Sequence, residues 1–138
     1  VDLRFFGHRV GDRRHINGEG KKIYVLHDLY PHADLVMYPS IYEGFGNALL
    51  EAFYFRVPII VNRYPVWVRD IEPKGFRVPV MNGFICHRIV EEARRLLDDQ
   101  EYRQAMVEHN YATARRYYGY PMLRASLQVL FTNIRNGI

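Results

Sequence analysis

Short apolar runs alternate along this chain with longer stretches whose apolar residues recur every three or four positions, and that alternation predicts the elements. Residues 3–6 read as a strand, and the loop that follows to Gly20 is polar and rich in Gly, Arg and Asp. Over 21–30, Ile23, Leu26 and Tyr30 suit one helix face. Residues 35–38 read as a buried strand closed by Pro39-Ser40. A glycine turn, Glu43-Gly44-Phe45-Gly46, leads into a helical run over 47–55. Residues 58–61 read as a second strand with Pro58 at its first position, where a missing N–H costs least. Pro65 is placed to open a helix over 65–71, and 76–80 is a third extended run. Beyond it the pattern is helical. Ile89, Ala93, Leu96 and Leu97 share a face, and 100–117 continues with Ala105, Met106 and Ala112. After a break at Gly119-Tyr120-Pro121, the residues Leu123, Leu127, Leu130 and Ile134 repeat at helical spacing over 122–134. Strands separated by helices imply a parallel sheet covered by helices, so the fold class is α/β with a helical C-terminal third.

Composition narrows the class. With 138 residues, 49% hydrophobic and 25% charged, the chain fits one domain with a true core, and wholesale disorder is excluded. We expect 1–138 to be a single domain. The lone cysteine, Cys86, excludes a disulfide framework and suits a reducing compartment, so the expected location is cytoplasmic. No apolar run approaches the ~20 residues of a membrane-spanning helix. The chain opens on Val1 in a strand-like run with no initiator Met, which reads as a fragment of a longer protein. Charge is uneven: residues 1–22 carry +3, residues 23–110 carry −3, and residues 111–138 carry +4 with no acid, for a net +4. The basic residues stand singly or in pairs, which describes a solvated surface better than a nucleic-acid footprint, and no nucleic-acid partner is expected. The six histidines are scattered without HExxH or Asp-x-Asp spacing, so no metal site is expected either.

The chemistry concentrates between Ala33 and Phe53, where strand, loop, glycine turn and helix follow in order. In an open α/β sheet the loops at strand C-termini are where ligands sit. Gly44 and Gly46 let the backbone come close to a ligand. Asn47 is placed to cap the helix, with the free N–H groups of the next turn pointing back at the loop, an anion site suited to a pyrophosphate. Two carboxylates flank this site. Glu43 lies just before the glycines, and Glu51 lies four residues after Asn47, close enough for its side chain to lean back toward the helix start. Carboxylates so placed would accept from the hydroxyls of a sugar and of a ribose. Each also has a plainer reading: Glu51 as compensation of the helix dipole, worth less than about 1 kcal/mol, and Glu43 as a loop carboxylate in solvent. Taken singly, the plainer readings suffice.

Together the two acids stand apart by seven residues, and the phrase PSIYEGFGNALLEAF resembles the Glu-x7-Glu signature of retaining glycosyltransferases of the GT-B fold, the large glycosyltransferase group 1 (family 4). Phe5-Phe6-Gly7, Val57-Pro58-Ile59-Ile60, Leu96-Leu97-Asp98-Asp99 and Tyr102-Arg103 are similar to further stretches of that family, so the likeness runs from Leu3 to about Leu130. It implies one half of a GT-B fold: a Rossmann-like C-terminal domain that binds a nucleotide-sugar donor (a UDP-, GDP- or ADP-sugar) and faces its own N-terminal acceptor domain, which this chain lacks. By the same resemblance Glu43 is catalytic and meets the hydroxyls of the donor sugar. Gly44, Phe45, Gly46, Asn47, Ala48 and Leu49 line the sugar and diphosphate, and Glu51 holds the ribose. The implied reaction transfers a hexose with retained configuration, aided by the donor phosphate, with no cofactor and no metal. The chain alone is expected to bind donor without transferring it. The acceptor is left open, as is peripheral membrane association of the full enzyme.

The chain departs from that family pattern in three places. The Arg and Lys that clamp the diphosphate in the family precede the point where this chain begins, and the acceptor domain is absent. Arg56 stands where the family's helix ends in glycine, which predicts a different or a strained cap. Tyr111, Tyr117, Tyr118 and Tyr120 interleave with Arg115 and Arg116, and are expected to form a seam toward the absent domain in preference to a stacking surface for nucleic acid. Two other functions fit the sequence: a non-catalytic nucleotide-sugar-binding module of the same fold, and a basic interaction domain for nucleic acid or a membrane surface. Only the last predicts affinity for polyanions that falls steeply with salt.

Overall fold

The computed structural model describes residues 2–137, so Val1, at the head of the strand-like opening run, lies outside it. A short antiparallel hairpin, β1 (His15–Ile16) and β2 (Lys22–Ile23), precedes the main sheet. Asn17 closes it, its Oδ1 accepting from the N–H groups of Glu19 at 3.0 Å and Lys21 at 2.9 Å. The main sheet has three parallel strands, β3 (Val36–Tyr38), β4 (Ile59–Asn62) and β5 (Val80–Met81), in that order across the sheet. Strand β4 is central, and all four of its residues are buried. Its side chains alternate between two layers, as the strand period of two requires. Ile59 and Val61 join Tyr30, Leu49, Phe53, Tyr64, Trp67 and Ile71 in one cluster, while Ile60 joins Met81 and Ile89 in the other. Both faces of the sheet are therefore covered, the arrangement that an apolar run such as Ile59-Ile60-Val61 demands.

Helix α1 (Asn47–Tyr54) buries Leu49, Ala52 and Phe53, three positions on one helical face, and the Phe53 ring stacks on Phe76 at 4.6 Å. It ends in a Schellman turn. The Arg56 N–H donates to Phe53 O at 3.2 Å and the Val57 N–H to Ala52 O at 2.9 Å, with Arg56 itself at φ 56° in the left-handed region. That conformation costs a side-chain-bearing residue about 1–2 kcal/mol. Two contacts offset the cost: the Arg56 guanidinium pairs with Glu108 at 2.7 Å and lies 3.7 Å over the centre of the Tyr111 ring. The strained cap expected at this position is present, and it ties α1 to a later helix. Arg56→Ala loses the contacts and keeps the strain, whereas Arg56→Gly loses both. The glycine variant is expected to be the more stable of the two by about 1 kcal/mol in urea denaturation, and equal stability would show an unstrained backbone.

Cys86, half-buried against Ile60 and Ile89, precedes α2 (His87–Asp98). Asp99 then caps α3 (Gln100–Tyr118), its side chain accepting from the Tyr102 N–H at 2.9 Å. On α3 the buried Asn110 clamps the segment before β5, accepting from the Arg77 N–H at 2.8 Å and donating to Arg77 O at 2.7 Å. Gly119 separates α3 from α4 (Tyr120–Asn136), and a Cβ there would lie 2.4 Å from Arg115 O. Helix α4 buries no residue, and Leu123, Leu127, Leu130, Phe131 and Ile134 are all exposed. Among the described residues no helix is long and apolar enough to cross a membrane.

The structure departs from the sequence pattern at several elements. Residues 3–6 make no strand, and Leu3, Phe5 and Phe6 are exposed; the hairpin edge is met instead at Val10, bridged to Tyr24. Residues 21–30 make no helix. Lys22 and Ile23 pair in β2, and two 3-10 turns follow, Leu26–Asp28 and Tyr30–His32. Asp28 takes the Val25 N–H at 3.0 Å and so closes the first turn. Pro31 lies in the second, where its missing N–H bars a continuing helix. Arg14, with the Val25 N–H, holds the Asp28 carboxyl at about 2, which locks the turn to the hairpin. Strand β3 is half-buried because it is an edge strand, with Met37 exposed. Of the extended run at 76–80 only Val80 enters the sheet. The helix over 65–71 contains a π segment at Trp67–Ile71, and α4 opens at Tyr120, since Pro121 suits a first turn.

Candidate functional site

The three parallel strands share a C-terminal edge, and the loop leaving β3 there runs straight into α1. Gly46 is the hinge of this loop. It takes φ 90° as the N-cap of α1, and a Cβ at this position would lie 3.0 Å from the Tyr38 hydroxyl and 3.2 Å from that of Tyr64. Both conformation and space therefore require glycine. The Tyr64 hydroxyl donates to Phe45 O at 3.0 Å, and the Phe45 ring meets Tyr118 edge-on at 4.8 Å, which pins the loop from two sides. Asn47, expected as the cap, is instead the exposed first residue of α1, and no side chain caps the helix. A glycine in the left-handed region turns the chain without a side-chain acceptor, so the first-turn N–H groups are left for another partner. Leu49 is a partial exception, since its N–H donates to Gly46 O at 3.0 Å, and its side chain is fully buried in the core. Gly44 is exposed, with no atom near an added Cβ.

Both acids of the seven-residue spacing are half-buried, and each has a tyrosine beside it. The Glu43 carboxylate lies against the Tyr38 hydroxyl; burial, reinforced by this carboxylate, pushes the phenol up to about 12. Burial first, then Tyr38 and Glu43, push Tyr64 to about 12 as well. Glu51 accepts from the Tyr30 hydroxyl at 3.0 Å through Oε2, and the same hydroxyl lies 3.2 Å from Ala48 O. Its other oxygen faces His27 Nε2 at 3.5 Å. Burial, then Glu51, drive the Tyr30 hydroxyl far above its ordinary value. Tyr30 thus attends Glu51 and Tyr38 attends Glu43, with the Tyr64 ring edge-on to Tyr38 at 6.3 Å. Tyr38 lies within the stretch that drew attention to Glu43 and Glu51, but Tyr30 and Tyr64 lie outside it. The contact between Tyr30 and Glu51 spans 21 residues, and its only sequence signal was a tyrosine on an apolar face.

The sequence-derived site residues are consequently divided. Glu43, Phe45, Gly46, Asn47, Ala48 and Glu51 surround the loop and the start of α1, with Ala48 offering its carbonyl to Tyr30. Leu49 presents backbone alone. The aromatic seam expected on α3 is largely turned inward: Tyr118 packs on Phe45 and Phe76, Tyr111 carries Arg56, and of the four tyrosines Tyr120 stands out at 88% exposure. An apolar cleft of about 540 Å³ opens between α1, α3 and α4, lined by Leu50, Tyr54, Tyr111, Tyr118 and Leu123 and by neither motif acid. Among the described residues no three His, Cys, Asp or Glu side chains converge as metal ligands would.

Residues 17–113 match the protein family described as "Glycosyl transferases group 1". Two similar proteins carry the name mannosylglucosylglycerate synthase. The one from Petrotoga mobilis is 48% identical over 78 residues, covering 56% of this chain and 17% of that protein. The one from Thermotoga maritima is 38% identical over 103 residues, covering 65% of this chain and 24% of that protein. The chain thus spans less than a quarter of either relative's length. No solved structure matches it.

Proposed function

We propose a function from the premise that this chain belongs to the group 1 glycosyl transferase family: it binds the nucleotide-sugar donor from which a longer, two-domain enzyme transfers a hexosyl group with retention of configuration. The observation that carries this reading is the pair Glu43 and Glu51, set on either side of a glycine-capped helix start at the C-terminal edge of a parallel sheet. The first-turn N–H groups of α1 and the positive end of its dipole receive the diphosphate. Glu51 accepts from the ribose hydroxyls, and Glu43 accepts from hydroxyls of the sugar. Transfer breaks the bond between the anomeric carbon and the diphosphate oxygen and forms one to an acceptor hydroxyl on the same face. The departing phosphate oxygen takes the acceptor's proton, so the step balances without a further base, metal or cofactor. The two relatives are named for a mannosyl product, and a mannosyl donor is accordingly the first to test. The acceptor binds the partner domain of the longer enzyme, so this chain alone holds donor and transfers nothing, in the cytoplasm on this reading.

Glu51 supplies the test. Glu51→Ala is expected to weaken binding of a nucleoside diphosphate and of its sugar ester equally, by about 1–3 kcal/mol, because both carry the ribose. Titration calorimetry of the folded variant decides it. Unchanged affinity for both ligands would remove Glu51 from the site, and failure of the unmodified chain to bind any nucleoside diphosphate would overturn the function.

A further inference from the structure

We propose that Tyr30 is a positioning residue for Glu51, holding its carboxylate in the orientation that accepts the ribose hydroxyls and so setting a preference for ribonucleotides over 2′-deoxyribonucleotides. The inference rests on the reading of Glu51 given above. Tyr30 is 6% exposed, its ring stacked on Phe55 at 5.3 Å with planes 4° apart, so its hydroxyl is delivered from a fixed base. That hydroxyl reaches Glu51 Oε2 at 3.0 Å and Ala48 O at 3.2 Å. Its single proton occupies one lone pair of Oε2 at most, which leaves the second lone pair of that oxygen and both of Oε1 open to a ligand. His27 Nε2 stands 3.5 Å from Oε1, too far for a strong hydrogen bond. The Glu51 side chain keeps 24% of its surface exposed, so it is held by Tyr30 without being covered completely. A glutamate has several rotors to order when it binds, and a partner that orders them beforehand raises affinity. The phenol suits the task because burial and Glu51 keep it protonated, a donor and never a competing anion.

Tyr30→Phe removes the hydroxyl and keeps the stacked ring. Calorimetry would compare ADP, GDP and UDP with their 2′-deoxy counterparts and with inorganic pyrophosphate. In the unmodified chain we expect one ribonucleotide to bind about tenfold better than its deoxy form. In Tyr30→Phe the ribonucleotide should weaken about 5–10-fold and the deoxy form, which keeps its 3′-hydroxyl, by less, with pyrophosphate unchanged, so that the preference shrinks. In a Glu51→Ala background, Tyr30→Phe should change nothing further. Retention of the ribose preference by Tyr30→Phe would overturn the inference alone, as would equal losses for ribonucleotide, deoxyribonucleotide and pyrophosphate, the mark of a structural role. An unmodified chain that binds nucleoside diphosphates without preferring the ribo form would overturn the Glu51 assignment, and this inference with it.

Discussion

Glu43→Ala is expected to slow hexosyl transfer by the complete enzyme about 10–100-fold while leaving nucleoside diphosphate affinity within about twofold. The asymmetry follows from where the carboxylate sits. It lies on the loop before Gly46, against the Tyr38 hydroxyl, on the strand side of the helix start where the diphosphate would rest. A nucleoside diphosphate lacks the sugar that Glu43 would meet, so its binding should be spared. The donor does carry that sugar, and the hydrogen bond to it matters most as the anomeric carbon loses its leaving group, because an interaction that strengthens toward the transition state enters kcat more than KM. Steady-state kinetics with the sugar donor, paired with calorimetry on the diphosphate, separate the two effects. Equal losses in both would move Glu43 to the phosphates.

Asn110→Ala is expected to lower stability by about 2–5 kcal/mol with the urea m-value unchanged, the largest effect of any single substitution considered. Both ends of the Asn110 amide are in use, on the N–H and the carbonyl of one residue, Arg77, in the manner of a strand partner. Removing the side chain orphans two backbone groups beneath α3, each costing about 1–3 kcal/mol if water does not reach it. His109 gives an internal comparison. It meets Gly75 O at 2.8 Å from the next position on the same helix, but with more solvent around it, and His109→Ala should cost about 1 kcal/mol or less. A small effect at Asn110, equal to that at His109, would mean that water replaces the amide.

The parts of the fold that could be read in advance are those set by near neighbours. Ile59-Ile60-Val61 is apolar on both faces of a strand, which calls for a sheet covered on both sides. Ile89, Ala93 and Leu96 on α2 announce a helix because their spacing is local. Residues 21–30 misled for the same reason. Ile23, Leu26 and Tyr30 have helical spacing, yet Asp28 bonded to Arg14 and Val25, with Pro31 after it, favours tight turns, and the pairing of Lys22 with Ile16 cannot be seen in a window of ten residues. Likewise Leu3, Phe5 and Phe6 have strand composition, but a strand exists only where an edge is offered. At the site, the two acids and the glycine could be found from the motif. Their tyrosines could not, because a phenol becomes a buried donor only once tertiary packing has brought it there.

Gly119 and the helix beyond it have an energetic consequence of a different kind. Because α4 buries no residue, unravelling it exposes little apolar surface and breaks none of the packing that holds the sheet. Its opening free energy is therefore set by its own propensity and caps and not by the global stability, so α3 and α4 belong to separate cooperative units despite being contiguous in sequence. The joint at Gly119, too crowded for a Cβ, is then the expected boundary between a part of the chain that melts with the core and a part that opens before it.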